Sequence, residues 1–505
     1  MSSKLLLGPL LGCESDTTYT ICFLTPGGTP IPDVLVDGRS IKASLIQGTP
    51  SGSFWRAEAE MPAVPAGRHV AYSIHSQGQA LENPAVPGVV DWKFYVPGKA
   101  EEPRIAYASC NGFSDGDMKA KLSDPYAMWK RMAVEHGKDP YALLLMGGDQ
   151  VYADEIWHSR DRAGLIAEWA RGDEKARKAT KVGRDIRDQL DKFYEGLYLR
   201  HWAQPDMAAM MASIPSLMMW DDHDIFDGWG SYSDGRETWE VPRAIFAAAR
   251  RYFELFQVRS AGNRTLLNPK SLSGASGGHY SFGLRFRRYG ILGLDNRSQR
   301  SLETIMDEAE WADVKQCLEG DLRNADTLLV LSAVPVVYRD FAGVERLLEM
   351  KPGQDEMSDD LSDHWRSRHH NGERMKLIQN LLKFQSLGPS RPIKRVILSG
   401  DVHVGSLGII REGERRVYQV VSSGIVHPPP SWLQWLGITT GSNDRPESLD
   451  AGKIRIEIAG PYGTADKFLR TRNFASLKEG GDKKLWVTWT CEAGKKAEYP
   501  FEGTV

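Results

Sequence analysis

From Tyr19 to Val96 the chain alternates apolar and polar positions in short runs, TYTICFLT, SFWRAEAEM, HVAYSIHS and VVDWKFYV, separated by turns rich in glycine and proline. A period of two turns one face of each run toward a core and the other toward water. The pattern predicts a small all-β sandwich of Ig or fibronectin type over residues 1–100. A polar stretch, VPGKAEEP at 96–103, reads as the linker that ends it. Beyond it, continuous apolar runs alternate with segments of helical period, the signature of a layered α/β domain over 101–505.

Helices are predicted at DPYAMWKRMAVEHG, started by Ser123 or Asp124 with Pro125 just inside and stopped at Gly137, and at VPRAIFAAARRYFELFQV, AEWADVKQCLEGDL and ERMKLIQNLLKFQ. Residues from about 155 to 213 read as a helical insertion, charged at first and amphipathic later. Strands return after Val402, including RIEIAG and a hairpin in KEGGDKKLWVTW. The opening MSSKLLLGPLLGC superficially resembles a lipoprotein signal, but its apolar run is short and broken by Gly8-Pro9, so a first strand with its lead-in turn is expected.

Composition narrows the function classes. The chain has 505 residues with a formal net charge of -3, which lacks the basic footprint of a dedicated nucleic-acid partner. Five scattered cysteines without a C-x-x-C pair give neither a disulfide framework nor a zinc knuckle. No apolar run has the length of a membrane span. A small-molecule substrate is the expectation, with oligomeric state left open.

The chemistry lies at the C-terminal end of each apolar strand. RIAYAS leads to Cys110-Asn111, YALLLMGG to Asp149, SLMMW to Asp221-Asp222-His223-Asp224, YGILGL to Asp295-Asn296-Arg297, and RVILSG to Asp401-Val402-His403. Strand ends on one edge of an α/β sheet share a crevice, and carboxylates crowded there repel one another unless cations sit among them. A multi-metal site is therefore expected, with Asp149 able to bridge two ions. Taken singly, Cys110 could be a small buried hydrophobe, Tyr152 a half-buried aromatic and Asp149 a helix cap. His369-His370 are expected at a helix start, His158 and His201 in the inserted helices, and His427 at a pocket mouth.

Together, ASCN, GGDQVYAD, MMWDDHD, LDNRSQR, DHWRSRHHNGER and LSGDVHVG resemble, in order, the motifs of the PhoD-like (alkaline phosphatase D) branch of the calcineurin-like metallophosphoesterases. The resemblance implies a four-layer fold, a β-sandwich of two sheets flanked by helices, behind a small all-β domain. It implies a phosphoester hydrolase using Fe3+ and Ca2+, or other divalent ions, with attack at phosphorus by a metal-bound hydroxide or another anionic ligand. Carried over by motif, Cys110, Asp149 and Tyr152 ligate the ferric-type ion and Asp222, Asp401 and His403 complete the centre. The chain departs from the wider superfamily, having Cys110-Asn111-Gly112 for Asp-x-His, Asp221-Asp222-His223 for Gly-Asn-His, and Ser332-Ala333 where a further histidine is common.

For catalysis, His223 is the candidate leaving-group acid, with Asp224 as its orienting partner and a metal-ligand role as the alternative. Arg297, and secondarily Arg300, could clamp a phosphate or form a structural ion pair with Asp295. Asp227 could support the cluster. The competing functions are a phosphodiesterase or phospholipase-type hydrolase on the same site, a hydrolase of another bond such as an amide, and a non-catalytic metal-stabilised binding protein. Relatives are often exported through twin-arginine signals; without an Arg-Arg pair at its start this chain is expected in the cytoplasm.

Overall fold

The computed structural model describes residues 4–232, 234–260, 278–341, 363–385, 392–462, 464 and 466–505. Two large sheets face each other. In the first, ten strands run in the order Lys496–Phe501, Leu485–Cys491, Asn473–Glu479, Arg104–Ala108, Tyr141–Gly147, Ser216–Met219, Leu7–Cys13, Thr18–Pro26, Gly52–Glu60 and Ser44–Gly48. Its centre, from Arg104–Ala108 to Leu7–Cys13, is parallel. In the second, Tyr289–Leu294, Thr327–Ser332 and Lys394–Ser399 form a parallel core flanked by antiparallel hairpins.

The central strands are buried at every position and largely apolar because each is covered on both faces. Alternate residues divide the work. Leu143, Leu145 and Met219 meet Ile291, Leu329, Leu331 and Leu398 between the sheets. Leu144, Met146 and Met218 turn outward against Trp129, Tyr194 and Ile245 from helices. On the far side, Leu328, Val330 and Ile397 pack on Trp311, Leu377 and Leu381 from the helices Glu308–Glu319 and Asn371–Lys383. The result is a four-layer helix–sheet–sheet–helix fold with an all-β region at the N-terminus.

That N-terminal region has its own core, with Tyr19, Phe23 and Trp55 facing Val34, Tyr72 and Phe94 of a five-stranded sheet. Its strands Leu7–Cys13, Thr18–Pro26 and Gly52–Glu60 also extend the ten-stranded sheet through the parallel pairing Gly12↔Ser216. One sheet thus runs unbroken from the all-β region into the layers that carry the candidate site. The segment after Trp157 is helical, through Arg160–Ala170, Glu174–Ala179, Arg184–His201 and Pro205–Ser213.

One helix boundary differs from expectation. The helix expected from Ser123 or Asp124 begins at Ala127 and runs through Gly137 to Lys138. The Asp124 carboxylate accepts the Tyr126 amide at 3.2 Å, closing a turn ahead of the helix rather than capping it.

Candidate metal centre

Each candidate ligand stands on a loop just past a parallel strand, and four of them hold the left-handed backbone that side chains avoid: φ is 52° at Cys110, 54° at Asp149, 64° at Asp401 and 51° at His403. Such a conformation costs roughly 1 kcal/mol or more per residue, so the surroundings must impose it. They do. The Cys110 and Asn111 amides donate to the carbonyls of Gly148 and Asp149 at 3.2 and 2.8 Å, and the His427 amide donates to the Cys110 carbonyl at 3.1 Å. At Gly148, with φ 105°, a Cβ would stand 2.9 Å from the Asp221 Cβ, so only glycine lets these loops meet.

The side chains converge in three overlapping groups, each with ligand atoms within 4.8 Å of one another: Cys110, Asp149 and His403; Asp149, Asp222 and His223; Asp221, Asp222 and Asp401. Tyr152 joins the first, its hydroxyl 3.4 Å from Asp149 Oδ2 and 3.3 Å from His403 Nε2. Asp149 belongs to two groups, and so does Asp222. All six ligands expected from the sequence therefore meet in one place, and Asp221 joins them.

This donor set fits cations. Asp149 Oδ1 and Asp221 Oδ2 are buried without a hydrogen-bond donor, a costly arrangement for carboxylates that nothing positive completes. Burial, reinforced by neighbouring carboxylates, pushes the Asp149 and Asp401 carboxyls well above their ordinary range. Burial beside Asp149 does the same to the Cys110 thiol and the Tyr152 phenol. These groups become anionic donors only against strong positive charge.

The supporting residues differ from expectation at two points. Asp224 is not the partner of His223. Its carboxylate accepts from the amides of Gln150 at 3.1 Å, Val151 at 3.2 Å and Asp221 at 2.9 Å, and from Gln257 Nε2 at 2.8 Å, tying the Asp149 loop to the Asp222 turn. The partner of His223 is Asp154, with Oδ2 2.6 Å from Nδ1, while Asp227 reaches only 3.9 Å from Nε2 and donates its amide to Asp154 Oδ1. Burial alone would lower the His223 pKa, but Asp154 and Asp222 hold it well above the usual histidine value.

Arg297 is fully buried and its donors are spent within the protein. It makes a bidentate pair with Asp363 at 2.7 Å for each bond, donates to the Trp229 carbonyl at 3.1 Å, and bonds Asp221 through Nε. Its Nη2 lies 3.3 Å from Asp222 Oδ1. No fork is left for a phosphate; the guanidinium instead balances the aspartates. Arg300 likewise reaches Asp363, at 3.0 Å. Neither ion pair uses Asp295, whose carboxylate accepts Trp220 Nε1 and the amides of Tyr280, Arg297 and Ser298.

Sequence reasoning gave no role to Asp154 or Asp363, although both lie in the motifs GGDQVYAD and DHWRSRHHNGER. It also undervalued two histidines. His427, expected at a pocket mouth, is buried and stacks on His403 at 3.6 Å between ring centroids and on Tyr152 at 5.5 Å. His201 bonds the Asn111 carbonyl through Nε2, and Trp202 donates to the Gln150 carbonyl at 3.1 Å, so the inserted helices brace the loops that follow both strands. His370 stands at the start of Asn371–Lys383 as expected.

A family model for PhoD related phosphatases matches residues 83–353, more than half of the chain. The chain belongs to the PhoD related phosphatase family. The matched stretch holds Cys110, Asp149, Tyr152, Asp222 and His223, while Asp401 and His403 lie beyond it. An uncharacterized protein of Saccharomyces cerevisiae is 28% identical over 394 residues, which make up 67% of this chain and 55% of that protein. The chain thus spans about half the length of the curated relative it matches. Among solved structures, that of PhoD is similar over 100% of this chain and 93% of its own, at 13% identity and a TM-score of 0.57. A purple acid phosphatase from yellow lupin (Lupinus luteus) seeds is similar over 98% of this chain and 73% of its own, at 11% identity and a TM-score of 0.51. Both likenesses concern the fold, which this PhoD-related chain shares.

Proposed function

We propose that the chain is a metal-dependent phosphoester hydrolase whose centre is built on Asp149. The observation that carries this reading is the overlap of the three ligand groups at Asp149 and Asp222, which suits neighbouring cations sharing carboxylates. Cys110, Tyr152 and His403 with Asp149 would hold one ion, and Asp222, Asp401 and Asp221 would hold its neighbours. The buried thiol and phenol favour a strongly charged ion such as Fe3+ for the first position, and the oxygen-only set favours a hard ion such as Ca2+ for the second. Bound cations would polarise phosphoryl oxygens and acidify water enough to supply a nucleophile at phosphorus.

The protein's own part is to position and to move a proton. Asp154 holds the His223 imidazole by Nδ1 and favours its protonated form, which suits His223 to protonate a leaving oxygen. Arg297 keeps Asp221 and Asp222 apart from one another's charge without touching substrate. One observation favours a second role for His223: a ring nitrogen lies within 4.8 Å of the Asp149 and Asp222 oxygens, so it could be a ligand.

The test is a panel of small phosphoesters with metal-loaded protein. Turnover of an aryl phosphate in preference to a bis-aryl phosphate assigns a monoesterase, and the reverse preference a diesterase. Inactivity of fully loaded protein on every phosphoester would favour a metal-stabilised binding protein.

A further inference from the structure

The helix Trp432–Gly441, WLQWLGITTG, has no charged residue and buries none of its ten residues. Trp432, Leu433 and Leu436 are 65%, 73% and 44% exposed, and their spacing puts them on one side of the helix. The helix is nonetheless held firmly. Ser431 and Gln434 form a capping box at its start, and Arg339 bonds the Ser442 carbonyl at its end at 3.2 Å. Trp435 turns inward onto Phe468 with centroids 5.2 Å apart, under the guanidinium groups of Arg339 and Arg470.

Two routes place this helix beside the candidate centre. Phe468–Leu469 pairs with Gly405 and Ser406, just after His403. At the other end, residues 428–431 join the helix to His427, which stacks on His403. Arg445, Lys467 and Arg470 lie exposed in the flanking segments, where the acids are Asp340, Asp444, Glu447 and Asp466. Asp444 is paired with Lys467 at 3.2 Å, Asp340 with Arg366 at 3.3 Å and Glu447 with Arg374 at 2.9 Å, which leaves Arg445 and Arg470 against Asp466.

We propose that this helix docks the protein on an anionic lipid bilayer. Trp432, Leu433 and Leu436 enter the headgroup region, and Arg445 and Arg470 face anionic headgroups. Indole at a membrane–water interface, leucines beside it and a basic flank are what such a surface recognises. A ten-residue helix is about 15 Å long, enough to lie in the interface and too short to cross. The docked helix would hold the centre close to the membrane surface.

The test is cosedimentation of the full chain with vesicles of phosphatidylcholine and phosphatidylserine, against vesicles of phosphatidylcholine alone. The expected result is binding to the anionic vesicles with a blue shift of tryptophan emission. Leu433→Glu with Leu436→Glu should weaken it about tenfold or more, and Arg470→Glu or added salt should weaken it by a smaller factor. The altered side chains are exposed, and an unchanged near-UV circular dichroism spectrum establishes that the variants are folded. Wild-type protein left in the supernatant, or equal binding by the double variant, would overturn the proposal. So would a concentration-dependent dimer that the double variant abolishes, because the helix would then serve a second copy of the chain.

Discussion

Asp154 Oδ2 sits 2.6 Å from His223 Nδ1, and the same carboxylate accepts the Asp227 amide at 2.9 Å through Oδ1. One acid thus fixes both the ring of His223 and the turn that carries it. The His223 ring lies stacked on Tyr152, with centroids 4.3 Å apart, so the pair Asp154–His223 is registered against a candidate ligand.

Asp154→Asn should therefore lower turnover by about 10–100-fold. Because Asp154 raises the His223 pKa, its loss should let the imidazolium lose its proton at lower pH, moving the alkaline limb of the pH–rate profile downward. A profile that falls in height without moving would assign Asp154 a purely structural part. His223→Ala separates the roles of the histidine: lost turnover with metal retained fits the acid, and lost metal fits the ligand.

Arg297 and Asp363 test the charge-balancing layer. Both are buried and share two bonds of 2.7 Å. Asp363→Ala leaves a buried guanidinium short of its partner, so it should destabilise the fold by about 3–5 kcal/mol, read as a lower midpoint in denaturant. A change below about 1 kcal/mol would show that the Arg297–Asp221 bond alone suffices.

The strand ends were legible because each follows a continuous apolar run, and a run buried on both faces announces itself whatever its neighbours are. That is why Cys110, Asp149, Asp222, Asp401 and His403 could be placed at strand ends, although the strand before Asp401 and His403 belongs to the second sheet rather than to the same edge. The partners of His223 and Arg297 were not legible. Asp224 is adjacent to His223 in sequence, but its carboxylate turns away to four N–H donors, whereas Asp154 arrives from another loop 69 residues earlier. Asp363 is 66 residues from Arg297. Sequence adjacency suggests a partner only where the backbone keeps neighbours on one side, and the turn Asp222–Asp224 separates them. The same limit hid the continuous sheet, since nothing in the period-two pattern of residues 19–96 reveals that Gly12 pairs with Ser216.

Tyr152 supplies a spectroscopic handle. Loaded with ferric ion, the protein should show a visible phenolate charge-transfer band, and Tyr152→Phe should remove it while leaving the fold intact. A band unchanged in that variant would take Tyr152 out of the coordination sphere.

Metal removal should couple stability to pH with a defined sign. Burial and neighbouring carboxylates raise the Asp149 and Asp401 pKa values in the folded, metal-free chain. Their contribution to its stability is complete below the ordinary carboxylate range, near pH 4, and is lost as pH rises through the raised values. Cations reverse this by competing with protons. The melting temperature of loaded protein should exceed that of chelated protein by a margin that widens from pH 5 to pH 8, with proton release on loading. A margin independent of pH would contradict the shared-carboxylate centre.

Asp149→Asn, examined by elemental analysis and phosphoester turnover on the same sample, tests the centre most directly. The wild-type chain should carry more than one metal ion and turn over a phosphoester, and the variant should lose bound metal and activity together. A variant that keeps its full metal content and turnover would contradict a centre built on Asp149.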